Sequence, residues 1–583
     1  VRYIFAIVSL VLAVVLIGYG VAQRTVLAGP DSLVVTAEAT SDATVTVIDG
    51  ETLNSLEGRQ DLELSGSDTI FAAFGRTDDV LAWVGDASYN EIGFDDETQS
   101  LTSEEVPGSE VTVPNPAGSD LWLREYTGDI ALSMQVSLSE DLSIIVVSDG
   151  TQPAPSTVTV SWPLDNRTPW AAPLIAAGGA MLLLSFFFFV WAFVHSHRTR
   201  GPRRRSITSG QRRTGRTEPG AIGSRGRRSI SRMTAVVPIV LVGTLGLSSC
   251  ASDSWPDLTM ASAESSPSAS PSAEPEETSI PAVTTGQVES IIGKVSEVAE
   301  TAEGGLDEVM LGYRFTGPAL EQRIGNFAIR EKDPAHPALP AFPSGPVAVS
   351  VPQSLPVDSD PWPRAIFAVV ESPDPATVAP WSVMLVQQSP REQYKVYYAV
   401  TLEPNATLPE LAPRGVGAPR LSPDTKLLSM APGNVLANYK DVVTTGDASV
   451  NAPAFDLESD NLLPQIDPAA RDEQINALKE ANGTLEYSYG VGDAETIALA
   501  SNESGALVTT YLTETTTARP SIEGDTINPT GLVKTLTGSE GSTRGYTAEY
   551  SYQLLFYIPP IGSTDKTVLL GFSEALLSAQ EIP

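Results

Sequence analysis

The single cysteine, Cys250, and the three histidines, His195, His197 and His336, set the outer limit of the chemistry this sequence can perform. One cysteine excludes an internal disulfide and every structural zinc pattern that needs two or more cysteines. No HExxH occurs. Gly538-Ser539-Glu540-Gly541 lacks the first glycine of a nucleophile elbow. Gly562-Ser563-Thr564-Asp565-Lys566-Thr567 has the wrong spacing for a phosphate loop, and no GxGxxG follows a strand. His336 stands between prolines in Asp333-Pro334-Ala335-His336-Pro337, the setting of a surface loop. A glycosidase needs two carboxylates, and 71 acids mark no particular pair. Asp95-Asp96-Glu97 and Asp78-Asp79 are the densest acidic runs, but neither has calcium-loop spacing. No catalytic residue, metal ligand or cofactor is therefore assigned. Tyr394, Tyr398, Tyr546, Tyr550 and Tyr552 recur at strand spacing; as rings on a concave sheet they would suit sugars or lipid tails, and the blander expectation is that they form its core.

The elements that would hold any site follow from charge and hydropathy. A net charge of −35 excludes nucleic acid as the partner, since phosphate binding needs clustered cations. The charge is uneven: residues 31–167 hold about 26 acids and about 4 arginines, while His195 to Arg232 hold about 12 arginines and one acid. Tyr3 to Ala22 is an apolar run of spanning length behind Arg2. It reads as an uncleaved anchor in preference to a signal peptide, with segment 1–23 as the first transmembrane helix. A second span, 169–194, runs through Phe186-Phe187-Phe188-Phe189, with Trp170 and Trp191 near its ends. Ala176 and Ala180 have the spacing of a close helix contact. Arg198, Arg200, Arg203, Arg204 and Arg205 follow at once, and the positive-inside rule puts this loop, 195–232, in the cytoplasm. Arg2 gives the same orientation, so segment 24–168 is expected outside the membrane.

Segment 233–250 is a shorter apolar run, behind Arg227-Arg228 and Arg232, that ends in Leu247-Ser248-Ser249-Cys250. These four residues resemble the lipobox of bacterial lipoproteins. The resemblance implies that the Cys250 thiol is lipidated and that the chain is cleaved before it. A Ser/Pro-rich linker, 251–285, follows, of a composition that cannot bury a core. Tyr313-Arg314-Phe315-Thr316-Gly317-Pro318-Ala319-Leu320-Glu321-Gln322-Arg323 resembles a motif of uncharacterised actinobacterial lipoprotein domains, a family without assigned chemistry. The whole resembles an actinobacterial membrane protein fused to a lipoprotein. Either the fusion persists, or one reading frame yields two chains split at Cys250.

Two folded parts are expected, so the fold class is a multi-domain, membrane-anchored protein. Short β-prone runs in 24–168, among them Ile70 to Phe74, Val80 to Val84, Ile130 to Val136 and Val158 to Trp162, predict an all-β sandwich. Beyond the linker, Val288, Ile291, Ile292, Val295, Val298 and Ala302 predict a helix that Gly304-Gly305 ends. Strands follow. The pattern restarts at Asp467-Pro468, an N-cap with proline at the first helical position. This predicts a C-terminal α+β region of two helix-plus-antiparallel-sheet units, cystatin-like or NTF2-like, at 286–450 and 451–583. The expected role is an extracytoplasmic binding or assembly module on the lipid bilayer, for envelope glycan, lipid or a partner membrane protein. The competing expectation is an accessory subunit or diverged enzyme of envelope glycan metabolism, acting in glycosyl transfer or hydrolysis.

Overall fold

A computed structural model describes residues 2–164, 168–198, 280–356, 361–372, 379–404 and 406–583. The chain divides into two compact units, 1–28 with 168–276 and 29–167 with 277–583. Each is described by itself.

The described part of the first unit is a pair of helices, α1 (Arg2–Thr25) and, later in the chain, α4 (Ala171–Arg198). Both are long and apolar enough to cross a membrane. They pack antiparallel. The Ser185 hydroxyl donates to the Ala6 carbonyl at 2.8 Å. A Cβ on Gly178 would meet Ile17 Cγ1 at 2.5 Å and the Ala13 carbonyl at 3.1 Å, and one on Gly20 would meet Ile175 Cγ1 at 2.8 Å. Ala6, Ala13 and Gly20 on one helix and Ala171, Gly178, Ser185 and Ala192 on the other are spaced by seven, so they share one seam. Ala176 and Ala180 are exposed. The expected contact at that pair is thus displaced onto the face that carries Gly178, where the smaller residue lets backbones approach.

The second unit begins with β1 (Ser32–Glu38), β2 (Val45–Asp49), α2 (Gly50–Leu53), β3 (Gln60–Arg76), α3 (Thr77–Val84), β4 (Tyr89–Asp95), β5 (Ser100–Val106), β6 (Arg124–Val136), β7 (Leu142–Val147) and β8 (Thr157–Pro163). They make one eight-stranded sheet, ordered β1-β8-β3-β7-β2-β4-β5 with β6 on β3. The long β3 pairs with β8 through Asp61–Ser65 and with β7 through Phe71–Arg76, and its register on β6 shifts between Ser65 and Thr69. The sheet therefore folds over itself at β3, and Leu62, Leu64, Ile70, Ala72, Ile144, Val160 and Trp162 fill the fold. The sandwich expected from sequence is one bent sheet rather than two separate ones. Val80 to Val84, expected as a strand, lies in α3. Asp78 and Asp79 fall in its first turn, where acids suit the helix dipole, and Val80, Trp83 and Val84 share one buried stripe.

After residue 279 the elements are α5 (Thr285–Gly305), α6 (Glu308–Leu311), α7 (Gly317–Lys332), β9 (Val347–Pro352), β10 (Arg364–Val370), β11 (Trp381–Gln387) and β12 (Lys395–Leu402). Then come α8 (Pro432–Thr445), α9 (Leu463–Ile466), α10 (Pro468–Glu480), β13 (Gly483–Val491), β14 (Ile497–Ala500), β15 (Ala506–Pro520), α11 (Gly531–Thr537), β16 (Tyr546–Ile558) and β17 (Val568–Glu581). Thr284 and Gln287 form a capping box at the start of α5, and Asp467 caps α10 through the Ala470 N–H. Helices followed by antiparallel strands thus occur twice. The second set starts before residue 451, because Val435, Leu436, Tyr439, Val442 and Val443 of α8 pack on Leu554 and Phe556 of β16.

The two sets share one sheet, ordered β13-β15-β16-β17-β12-β11-β10-β9, with β14 on β15. Among the described residues the ladder across the seam is Thr401↔Phe572 and Leu402↔Gly571. Three cores result. One lies between α5–α7 and β10–β12, with Ile291, Val295, Phe315, Ile366 and Val383. A second lies under α8 and α9. The third is held between the two halves of the sheet, with Phe367, Met384, Tyr398, Leu507 and Leu555. Helix α7 crosses the seam and lies on β17. A Cβ on Gly325 would meet the Leu576 carbonyl at 2.7 Å and Leu577 Cα at 3.1 Å, backbone that cannot rotate away. Gly325→Ala is expected to cost about 1–3 kcal/mol, read as a lower denaturant midpoint at unchanged slope. An unchanged midpoint would mean that α7 does not pack this closely.

Candidate functional site: a charged interface and a seam cavity

Two places in the second unit concentrate buried charge. The first joins the bent sheet to the C-terminal region. Asp120, in the loop between β5 and β6, has a fully buried side chain. It accepts from Arg314 Nη1 at 2.5 Å and Nη2 at 3.2 Å, from the Tyr394 N–H at 2.9 Å and from Lys294 Nζ at 3.3 Å. Gln287 uses Oε1 within the capping box of α5 and donates through Nε2 to the carbonyls of Asp120 and Leu121, both at 3.0 Å. The start of α5 is thereby fastened to the bent sheet.

A second buried pair joins Asp79 of α3 to Arg364 Nη2 at 2.6 Å, with the guanidinium carbon 3.8 Å from the Trp362 ring centroid. Arg76 stands 4.0 Å from the same carboxylate; burial, with Arg364 adding to it, lowers the Arg76 pKa against the pull of Asp79. Arg391 donates to the Trp83 and Val84 carbonyls at 2.8 and 2.7 Å and pairs with Glu110 at 2.8 Å. In all three places the acid comes from the bent sheet and a cation from the C-terminal region. The acidic excess of 31–167 thus has a structural use, which complementary potentials explain. Asp79, one of the acids considered for a cation, is committed to Arg364. Asp95 is committed to a turn: the Thr98 hydroxyl and the Thr98 and Glu97 N–H groups hold its carboxyl below the usual range. Among the described residues no group of three or more His, Cys, Asp or Glu is placed to hold a metal ion.

The second place is the seam of the C-terminal sheet. Cross-strand register puts Ser551, Gln553 and Ser573 on the face under α7, and Glu514, Tyr550, Tyr552 and Glu574 on the opposite face. Under α7, Gln322 donates to Ser551 and to the Ser573 carbonyl, and accepts from Gln553 at 2.6 Å and Ser573 at 2.8 Å. Gln553 also accepts from the Ala399 N–H at 2.8 Å, which bridges β16 to β12. A cavity of about 410 Å³ opens here, with Gln322, Arg323, Trp381, Glu403, Gln553 and Glu574 in its wall. Arg323 is 3% exposed. It donates to Glu303 at 2.7 Å, and its guanidinium carbon lies 4.8 Å from the Phe315 ring centroid. Burial lowers its pKa, and Glu303 opposes that.

On the opposite face Arg471 of α10 donates to Glu514, to the Tyr489 hydroxyl at 3.2 Å and to the Tyr552 hydroxyl at 3.4 Å. Tyr552 in turn reaches Glu574 at 3.5 Å. Desolvation and then the nearby Glu514 charge raise the Glu574 pKa. Near the cavity, Asp460 accepts from the Tyr439 hydroxyl at 2.7 Å and from the N–H groups of Leu462 and Leu463 at 2.9 and 2.8 Å. Burial nevertheless raises its pKa. The native state then keeps this proton to higher pH than the unfolded chain does. Its stabilising effect is complete at acid pH and lost as pH rises through the raised native value. Asp460→Asn is therefore expected to melt at or above the wild-type temperature at pH 7, with the difference closing below about pH 4. A pH-independent difference between the two melting curves would contradict the assignment.

The tyrosines singled out in the sequence divide as follows. Tyr394, Tyr398, Tyr546 and Tyr552 are core residues; Tyr550 is half-buried. Tyr398 donates to the Glu495 carbonyl at 2.6 Å. His336 is half-exposed, its N–H on the Asp333 carbonyl at 2.9 Å. Arg2 and Arg198 begin α1 and end α4, so their backbones fall at the same end of the helix pair. Cys250, Leu247, Ser248, Ser249, Arg200, Arg203, Arg204 and Arg205 lie outside the described residues. Sequence reasoning missed Arg471, Glu514 and Arg323. Glu514 did leave a signal, an acid continuing the inward alternation of Val508, Thr510 and Leu512.

Residues 279–581 match the family described as Domain of unknown function (DUF8094). The match takes in every helix and strand from α5 to β17 and more than half of the chain, and the chain belongs to this family. No curated protein and no solved structure matches it.

Proposed function

We propose that this member of the family is an assembly and binding module of a cell envelope, in which a membrane-anchored β-domain holds the family's α+β region at the outer face of the bilayer. The observation that carries the reading is the buried charged interface. Asp120 and Asp79 on one side and Arg314 and Arg364 on the other make two buried pairs of opposite charge, flanked by Lys294 and by the part-exposed Glu110–Arg391 pair, a complementarity that favours one specific partner. Two helices long and apolar enough to span a membrane flank the β-domain in sequence, which supports anchoring. Arg2 and the arginines from Arg198 onward support a cytoplasmic loop, with both folded parts outside. The lipobox-like Leu247-Ser248-Ser249-Cys250 supports a lipid anchor on the α+β region and an actinobacterial type of envelope. The repeated helices-then-strands order supports two cystatin-like or NTF2-like units. On this reading cleavage before Cys250 leaves the two products bound to each other.

The test is to produce residues 1–232 and 233–583 as separate polypeptides in one cell and to purify one from gently solubilised membranes. Recovery of the other in equal amount is expected, together with loss of that recovery in Arg314→Asp. Independent elution of the two wild-type pieces would overturn the assembly reading.

A second reading, a diverged glycan-active enzyme, is favoured by one observation: the raised pKa of Glu574 beside the Arg471-paired Glu514. Two carboxyls in differing surroundings are what such an enzyme would use. Glu514, however, is 2% exposed, which keeps it from a substrate. Hydrolysis of aryl glycosides that Glu574→Gln abolishes would favour the enzyme.

A further inference from the structure

We infer that the sheet face beneath α10 is a recognition site for a guanidinium group, filled here by Arg471 of the same chain, and that α10 is a latch which an arginine side chain of a partner protein displaces. The site stands apart from the interface at Asp120, so either reading can fail without the other.

The shape of the site is read from its occupant. The Arg471 guanidinium donates to the Glu514 carboxylate, through Nε to the Tyr489 hydroxyl at 3.2 Å and through Nη2 to the Tyr552 hydroxyl at 3.4 Å. Its carbon lies 4.5 Å from the Tyr487 ring centroid. A planar fork laid on a ring, with acceptors along its edges, suits a guanidinium. An ammonium is a point charge and cannot face the ring while reaching both hydroxyls. Glu514 comes from β15, Tyr487 and Tyr489 from β13 and Tyr552 from β16. Three strands thus build the site, and α10 contributes the cation. Without that cation the site keeps Glu514, with Glu574 reached through the Tyr552 hydroxyl. No other cation serves Glu514 among the described ion pairs. An anionic or apolar ligand is thereby disfavoured.

The second observation is how α10 is held. A surface helix stays on a sheet by its apolar stripe, and the 13 residues of α10 include none that is buried. Its neighbours α8 and α9 place Val435, Tyr439, Leu463 and Ile466 in the core. α10 offers only Ile475 and Leu478, both half-buried. Its polar fastenings to the sheet are Arg471 and Gln474, which accepts from the Tyr487 hydroxyl. A polar helix of this length is marginal by itself, and segments with so little burial open at the low end of a protein's free-energy range. Both ends remain tethered. Asp467 precedes the helix in extended backbone, and Asn482 follows it at φ +59°. While α10 is down, Glu514 is closed to any ligand; lifting α10 gives it to solvent or to a second guanidinium. An arginine in trans competes with the tethered one, so its apparent affinity falls by the fraction of molecules in which α10 is open.

The experiment uses the full-length protein in detergent at constant ionic strength. The probes are ethylguanidinium, ethylammonium and a capped tripeptide with arginine between two glycines. In Arg471→Ala, ethylguanidinium is expected to raise the melting temperature saturably by mass action. Ethylammonium is expected to bind at least about tenfold more weakly, which corresponds to 1.4 kcal/mol. Adding Tyr487→Leu should weaken ethylguanidinium by about threefold, through the lost ring. Gln474→Ala keeps Arg471 and removes the second fastening, so it tests the latch even where Arg471→Ala fails to fold. It should bind the tripeptide more tightly than wild type, and at saturation its α10 amides should exchange hydrogen faster than in the free protein. The proposal is overturned if ethylguanidinium does no more than ethylammonium in folded Arg471→Ala, if the tripeptide binds Gln474→Ala no better than wild type, or if it binds while α10 exchange stays unchanged. The last result would make Arg471 and Glu514 a fixed structural pair.

Discussion

Asp120→Ala is expected to lower the stability of the second unit by about 3–5 kcal/mol, the range for removing one member of a buried ion pair. The reason lies in what remains. Arg314 is 6% exposed and would keep its charge with only the Tyr394 carbonyl, 3.2 Å away, as an acceptor. Lys294 would keep the Gly118 carbonyl, and the Tyr394 N–H would lose its acceptor. Asp120→Asn retains the shape and one acceptor oxygen but removes the charge, so its loss should fall between wild type and alanine. A double variant, Asp120→Ala with Arg314→Leu, should recover much of the loss, because no buried charge is then left alone. The comparison is made by thermal and denaturant unfolding. In the split-chain format the same variant should raise the rate at which the two polypeptides separate, since truncating a buried charged partner acts mainly on dissociation. A loss within about 0.5 kcal/mol of wild type would mean that Asp120 is solvated and that the interface does not hold the two parts together.

Arg471→Met is the second variant with a large expected effect, again about 3–5 kcal/mol. Arg471 is the only cation reaching Glu514 among the described ion pairs, and the Glu514 side chain is 2% exposed. Burial works to lower the Arg471 pKa, but the Tyr489 hydroxyl and the Glu514 charge outweigh it, and the value ends raised. The pair is thus a stabilised charge on a helix that buries none of its residues fully. Without the arginine, Glu514 faces Glu574 across the tyrosines, and neutralisation becomes its best state. A carboxyl whose native pKa is raised contributes stability at acid pH that is lost as pH rises. The defect in Arg471→Met should therefore be largest near and above neutral pH and shrink on acidification. Glu514→Gln combined with Arg471→Met should remove most of that pH dependence. Denaturant midpoints from pH 4 to pH 8 decide the matter, and a defect of constant size would show that Glu514 is not the group left exposed to the loss.

How much of this was legible in the sequence depends on the distance over which each feature is built. The α5 helix was legible because its apolar residues and its glycine stop lie within some twenty positions, and local spacing records a buried face. The start of α10 was legible for the same reason, from Asp467 and Pro468 alone. The burial of Tyr394, Tyr398 and Tyr552 followed from strand alternation. Val80 to Val84 was misread because five β-prone residues fit a strand as well as a helix until the acidic first turn and the Trp83 stripe are weighed. The bend in β3 was not legible: alternation over Gln60–Leu64 is interrupted at Ser65–Thr69 before the buried run from Ile70, and nothing local shows that the two halves pair with different strands on the same edge.

The interface and the cavity are of a different kind. Asp120 and Arg314 are 194 positions apart, and neither residue carries a local mark of its partner. Gln322 meets Ser573 251 positions away, through a seam only two residue pairs long. The sequence by itself determined which segments can cross a membrane, where acid and base are concentrated, and which faces of the longest elements are apolar, because these are properties of neighbouring residues. Only the tertiary structure decided that the acids of one part meet the arginines of the other, and that Gln322, Gln553 and Ser573 join across the seam of the sheet. Such pairings depend on how strands from opposite ends of the chain are brought side by side, and the energy that selects them is spread over several cores rather than written in any one stretch.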